Sequence, residues 1–187
     1  MNRLVISFMR GLARWPLAWV RMLGFMLGGV LYALVAKRRR VVQTNLRLCF
    51  KTLPERQIRV LTRRVFVRFA QSWLDRGWLW HGSADMLRKR LQITGAVDEL
   101  AGLDPVVIFA PHFVGLDAGW TALTLNLQRH FTTIYTDQAN KAMDAWILAG
   151  RRRFGSNALF GRKDGVKTIV AALRLADFFL RRRSIYK

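Results

Sequence analysis

Thiols and acids are what this chain has least of. Its one cysteine, Cys49, excludes an intrachain disulfide and any zinc site built from several cysteines. The residue is expected to be a small buried hydrophobe. Only 11 Asp and Glu face 32 Lys and Arg, leaving a formal charge of +21. No Gly-x-Ser-x-Gly elbow occurs, so a serine nucleophile of that kind is missing. Internal repeats are absent, and low-complexity sequence is confined to the charge clusters. A recognition-helix pattern is missing too, which speaks against nucleic acid as the partner despite the charge.

The charge that is present is uneven. Residues 1–60 carry twelve Lys and Arg against Glu55 alone, whereas residues 95–150 carry Arg129 and Lys141 against six acids. From Arg151 onward the chain is basic again. A near-neutral centre between basic ends predicts a folded site region held against something anionic. The chain also holds 7 Trp, 12 Phe and 6 Met, an apolar load that suits an interfacial membrane protein. Its length fits one domain with a sizeable core.

Residues 1–40 read as a membrane anchor helix with its basic cluster, and residues 41–187 as the folded body. Residues 22–36 are uncharged, and the apolar character reaches back to Trp15, broken by Arg21. That is near the lower limit of about 20 residues for a spanning helix. Arg21 can snorkel toward headgroups, and Trp15, Trp19 and Tyr32 resemble interface anchors. Lys37-Arg38-Arg39-Arg40 follows the segment and favours a cytoplasmic body. A small-residue cleavage site is lacking, which separates the segment from a signal peptide. The alternatives left open are a spanning helix, an interfacial helix and the core helix of a soluble protein.

Residues 41–93 read as helical, with Pro54 at the first position of a new helix. Ile58, Leu61, Val65, Phe69 and Trp73 recur at helical spacing, with Arg59, Arg63, Arg64 and Arg68 between them. Trp73, Trp78 and Trp80 are expected in core packing, and His81 is expected to be structural. Residues 93–95 suggest a short strand, and Asp98, Glu99 and Leu100 a brief turn or helix.

The body is organised around residues 106–117, Val-Val-Ile-Phe-Ala-Pro-His-Phe-Val-Gly-Leu-Asp. The apolar run at 106–110 predicts a buried strand of a parallel or mixed sheet. Residues 118–127 predict a helix, 131–135 a strand, 140–150 a helix, and 166–180 a further helix after another strand. The expected fold is therefore α/β, a layered mixed sheet with flanking helices behind the N-terminal membrane helix.

His112 follows the predicted strand, and Asp117 lies five residues on. The carboxyl ends of strands in open α/β sheets are where chemistry is usually placed. An imidazole exchanges protons near neutral pH, and a carboxylate beside it fixes its tautomer and stabilises its cation. With no protein nucleophile in view, His112 would activate a hydroxyl of the substrate. The alternative is a core histidine near an incidental carboxylate. Arg162 and Lys163, framed by Gly161 and Gly165, can bind a phosphate; a solvated loop is the other reading. Arg151, Arg152 and Arg153 are either part of a site or a charged helix end.

Residues 110–117 carry the His-four-residues-acid motif of the glycerolipid acyltransferase superfamily. The sequence resembles, within it, the bacterial lipid A biosynthesis (lauroyl/myristoyl) acyltransferases. The likeness extends to the N-terminal helix, residues 40–50, Pro54-Glu55-Arg56 and Gly161-Arg162-Lys163-Asp164-Gly165. It implies a glycerolipid acyltransferase-like fold and acyl transfer from acyl carrier protein to a hydroxyl of an anionic glycolipid, the lipid A precursor, at the inner membrane. His112 would be the base and Asp117 its orienting partner. Arg162, Lys163 and Gly161 would bind the acceptor. No cofactor and no metal is implied, because the thioester itself is activated.

The motif is shared with lysophospholipid and glycerol-phosphate acyltransferases, which are the alternative. Family members continue through a further strand and helices, where this chain passes from Leu180 into Arg181-Arg182-Arg183 and ends at Lys187. A truncated form is expected, and a non-catalytic remnant that binds anionic membrane is a further alternative.

Overall fold

A computed structural model of the protein describes residues 3–101, 106–161, 164, 165, 167, 168, 170 and 171. The helices are α1 (Arg3–Leu12), α2 (Leu17–Leu34), α3 (Ala36–Cys49), α4 (Glu55–His81), α5 (Ala84–Arg90), α6 (Asp98–Ala101), α7 (Leu116–Asn126) and α8 (Lys141–Arg151). The strands are β1 (His130–Tyr135) and β2 (Ser156–Gly161). Two compact units result: Ser7–Trp78, and Met1–Ile6 together with Leu79–Lys187.

In the unit Ser7–Trp78, glycine lets α2 approach α4 closely. Val20, Gly24 and Gly28 recur every fourth residue and form the buried stripe of α2. A Cβ on Gly28 would lie 2.4 Å from the Val67 Cα, and one on Gly24 would lie 2.6 Å from the Gln71 side chain. The Gln71 amide donates to the Arg21 carbonyl at 3.1 Å, and Arg21 pairs with Asp75 at 3.1 Å. Arg21 therefore has a carboxylate partner within the unit, where sequence suggested snorkelling toward headgroups. At the other end of α2, Arg39 folds back, donates to the Tyr32 and Ala33 carbonyls and covers the Tyr32 ring. It thereby satisfies carbonyls that a helix C-terminus leaves open.

The buried stripe of α4 differs from the expected one. Ile58, Thr62, Phe66, Ala70 and Leu74 face inward, whereas Val65 and Phe69 are exposed. Thr62 enters this stripe because its hydroxyl donates to the Ile58 carbonyl at 2.7 Å, leaving a methyl to pack. Trp78 and Trp80 are buried as expected. Cys49 is exposed, contrary to expectation, because α3 has no buried residue.

In the second unit, β1 and β2 pair in parallel from His130 opposite Ser156 to Tyr135 opposite Gly161. α8 makes the crossover between them, as a parallel pair requires. Asn140 caps α8, accepting from the Met143 N–H at 3.0 Å. Trp146 of α8 meets Trp80 edge-on, with ring centres 4.5 Å apart, and donates to the His81 Nε2 at 3.1 Å. His81 is thus an acceptor in the packing, as its structural assignment anticipated.

The layered mixed sheet is met only in part: the described sheet has two strands. Residues 106–110 form no strand. Val107 is 97% and Phe109 89% exposed, where a buried strand was expected. A strand pairs its backbone through neighbours; β1 and β2 pair with each other, and no described strand flanks this run. Residues 93–95 likewise form none. The predicted helix at 166–180 falls mostly outside the described residues, as do Arg162 and Lys163.

Candidate functional site

The residues singled out by sequence sit on three local structures. His112 is exposed at the tip of a three-residue turn, closed where the Phe113 N–H donates to the Pro111 carbonyl at 2.7 Å. The chain then reverses through Gly115, whose φ of 95° is in the left-handed region open to glycine. Its carbonyl accepts from the Ala118 and Gly119 N–H groups at 2.8 and 3.0 Å, which starts α7. An exposed imidazole and a helix-borne carboxylate are thus set one after the other by a glycine reversal.

Asp117, in the first turn of α7, is buried. A helix N-terminus favours an anionic side chain there, and a cation comes from farther along the chain. Arg151, the last residue of α8, donates from Nε to the Asp117 Oδ1 at 3.0 Å, with a terminal nitrogen 2.9 Å from the same oxygen. The Arg151 carbonyl is itself held, by the Trp120 indole N–H at 2.8 Å and the Asn157 amide at 3.3 Å. Charge-assisted contacts of this length are among the stronger hydrogen bonds. His112 has no hydrogen bond to Asp117 among the described residues.

The third structure is the carboxyl end of the parallel pair, the general location of ligand sites in such sheets. Gly161 ends β2 and is buried; its N–H donates to the Asp164 Oδ2 at 2.7 Å, and the Asp164 N–H returns to the Gly161 carbonyl at 3.1 Å. Asp137, just past β1, brings its Oδ1 to 3.2 Å from where a Gly161 Cβ would stand. Tyr135, opposite Gly161, has its phenol pushed upward, first by partial burial and then by the Asp137 carboxylate, which favours the protonated form. Burial lowers the Arg153 guanidinium, which donates to the carbonyls of Leu79 and Gly82.

Sequence reasoning left Arg151 undecided between site residue and charged helix end. Its partner is 34 residues earlier, and no local spacing announces such a pair. Among the described residues no group of three or more His, Cys, Asp or Glu is placed to hold a metal ion.

The family described as bacterial lipid A biosynthesis acyltransferase matches residues 1–178. A protein named lipid A biosynthesis lauroyltransferase from Escherichia coli is 23% identical over 165 residues, covering 87% of this chain and 53% of that protein. A Haemophilus influenzae protein named lipid A biosynthesis acyltransferase is 24% identical over 139 residues, covering 74% of this chain and 43% of its own length. A match at 29% identity to patulin synthase of Aspergillus clavatus covers 67% of this chain and 20% of that protein. The chain thus spans about half the length of the two bacterial relatives. No solved structure matches it.

Proposed function

The chain belongs to the bacterial lipid A biosynthesis acyltransferase family, and from that premise we propose that it moves a fatty acyl group from acyl carrier protein to a hydroxyl of a lipid A precursor. His112 is the general base. It takes the proton of the acceptor hydroxyl as that oxygen attacks the thioester carbonyl. Collapse of the tetrahedral intermediate breaks the carbon–sulfur bond, and the imidazolium returns its proton to the departing thiolate. The products are an ester and the free carrier thiol, so no side chain of the protein is acylated.

Asp117 steadies the imidazolium once the turn at residues 111–115 folds His112 back toward α7, with Gly115 as the pivot. Catalytic hydrogen bonds are commonly longer or unmade before substrate binds. The observation that carries this reading is the arrangement at the start of α7: an exposed histidine stands five residues before a buried carboxylate that Arg151 holds in place. An orienting carboxylate must be ionised and fixed, and a guanidinium favours both. Arg162 and Lys163, which follow Gly161 in the sequence, take a phosphate of the acceptor. The basic surface recruits the acidic carrier protein, and α2 holds the chain at the cytoplasmic face of the inner membrane.

The test is acyl transfer from acyl carrier protein to a lipid A precursor by the purified full chain in detergent. His112→Ala is expected to lower the rate by about 10²–10⁴-fold, and Asp117→Asn by less. Arg162→Ala is expected to raise KM for the phosphorylated acceptor. Equal rates in the parent and His112→Ala, or no transfer by the parent, overturn the proposal.

A further inference from the structure

By length and composition α2 is able to cross a membrane, but its packing inside the unit Ser7–Trp78 argues for another placement. At 1.5 Å per residue the helix is about 27 Å long, just under a hydrocarbon core of about 30 Å. If α2 stood upright, α4 would stand beside it. Val67 packs on Gly28 and Gln71 on Gly24, so Arg68 is level with the middle of α2. Arg64 lies one turn before it, and the Arg63 guanidinium is 5.5 Å from the centre of the Phe25 ring. Arg63, Arg64 and Arg68 are all exposed. An upright α2 would carry three exposed cations to hydrocarbon depth, a costly arrangement.

Turning the helix into the membrane plane removes that conflict. Trp19, Met22, Met26 and Val30 are exposed and project from the side of α2 opposite Gly24 and Gly28. They form an apolar face able to enter the upper acyl region while α4 stays above it. The arginines of α4 then lie at the depth of lipid phosphates, with stems long enough to reach them. We propose that α2 lies in the surface of an anionic bilayer without crossing it, and that Arg63, Arg64 and Arg68 of α4 bind the headgroup phosphates of that leaflet.

Site-specific labelling distinguishes the two placements. In a Cys49→Ser background, Arg14→Cys and Thr44→Cys place a thiol on either side of α2 at exposed positions. The full chain is added to preformed phosphatidylglycerol–phosphatidylcholine vesicles and treated with a membrane-impermeant maleimide. Both thiols are expected to react fully before detergent is added; protection of either one until detergent overturns the proposal. The triple variant R63Q/R64Q/R68Q is expected to partition more weakly into phosphatidylglycerol vesicles. At roughly fivefold per cation, the loss is on the order of a hundredfold. Pure phosphatidylcholine vesicles should show little difference between parent and variant. Unchanged partitioning into the anionic vesicles overturns the proposal. Acyl transfer in detergent reads the catalytic assignment separately, so either proposal can fail alone.

Discussion

Two apolar runs in this chain show how differently helices and strands depend on their surroundings. The run in α2 satisfies its backbone hydrogen bonds internally and is helical over Leu17–Leu34, although Trp19, Met22, Phe25 and Met26 stay exposed. The run at residues 106–110 is equally apolar and rich in β-branched residues, yet it forms no strand and exposes its side chains. A helix needs only its own sequence to close its hydrogen bonds. A strand needs a second segment, and the described residues offer this one none. Hydrophobicity announces that a run is to be covered; it does not supply the cover.

The open run is tied down at its far end, where Asp117 meets Arg151. Arg151→Met should have the largest effect on stability, about 3 kcal/mol, because it removes the guanidinium that hydrogen-bonds a buried carboxylate. Chemical denaturation of parent and variant measures it. A loss below about 0.5 kcal/mol would show that the pair contributes nothing to holding α7. Gly28→Val tests the closed run: the new Cβ meets backbone at 2.4 Å, and overpacking of this kind costs about 1–3 kcal/mol. A melting temperature equal to the parent's would mean that α2 and α4 separate without penalty.

Val107→Ser with Phe109→Ser is expected to change stability by less than about 0.5 kcal/mol, since both side chains are already exposed. A double serine variant in α2, Val20→Ser with Gly24→Ser, should destabilise clearly, since both positions are buried and Gly24 has no room for a Cβ. If the first double variant unfolds the chain, the contrast between the runs is wrong.

The smallest expected effect concerns Glu55. Its carboxyl is held below the ordinary range, chiefly by hydrogen bonds from Arg47 at 2.6 and 3.0 Å, both groups being exposed. A lowered value in the fold means that this contribution is present above the ordinary carboxylate range and is lost as pH falls through the lowered value. Thermal denaturation between pH 6 and about 2 should show a slightly flatter acid limb in Arg47→Ala. An unchanged limb would show that the pair does not act on stability.

The contrast also marks what the sequence could disclose. α2, α7, α8 and β1 follow from apolar runs and their lengths, because the causes lie within a few residues. The inward face of α4 departs from the spacing-based expectation because Thr62 and Ala70 belong to it and Val65 and Phe69 do not; whether a threonine packs depends on its hydroxyl finding the carbonyl four residues back. Cys49 is a small apolar residue on a helix that buries nothing. At the candidate site, His112 and Asp117 were singled out by their place after an apolar run, although that run is not the strand that motivated the choice. Arg151 was not legible as the partner of Asp117, because two helices must fold before the guanidinium and carboxylate come together.

Gly150 gives that partnership a rotational lock. The Trp80 ring lies against it so closely that a Cβ there would stand 2.2 Å from the indole. Flat aromatic against bare backbone permits one azimuth of α8, and each residue along a helix turns the side chain by about 100°. The next residue, Arg151, therefore inherits its bearing from the tryptophan against its neighbour, and Gly150→Ala should swing the guanidinium off target while Arg151 itself is unaltered.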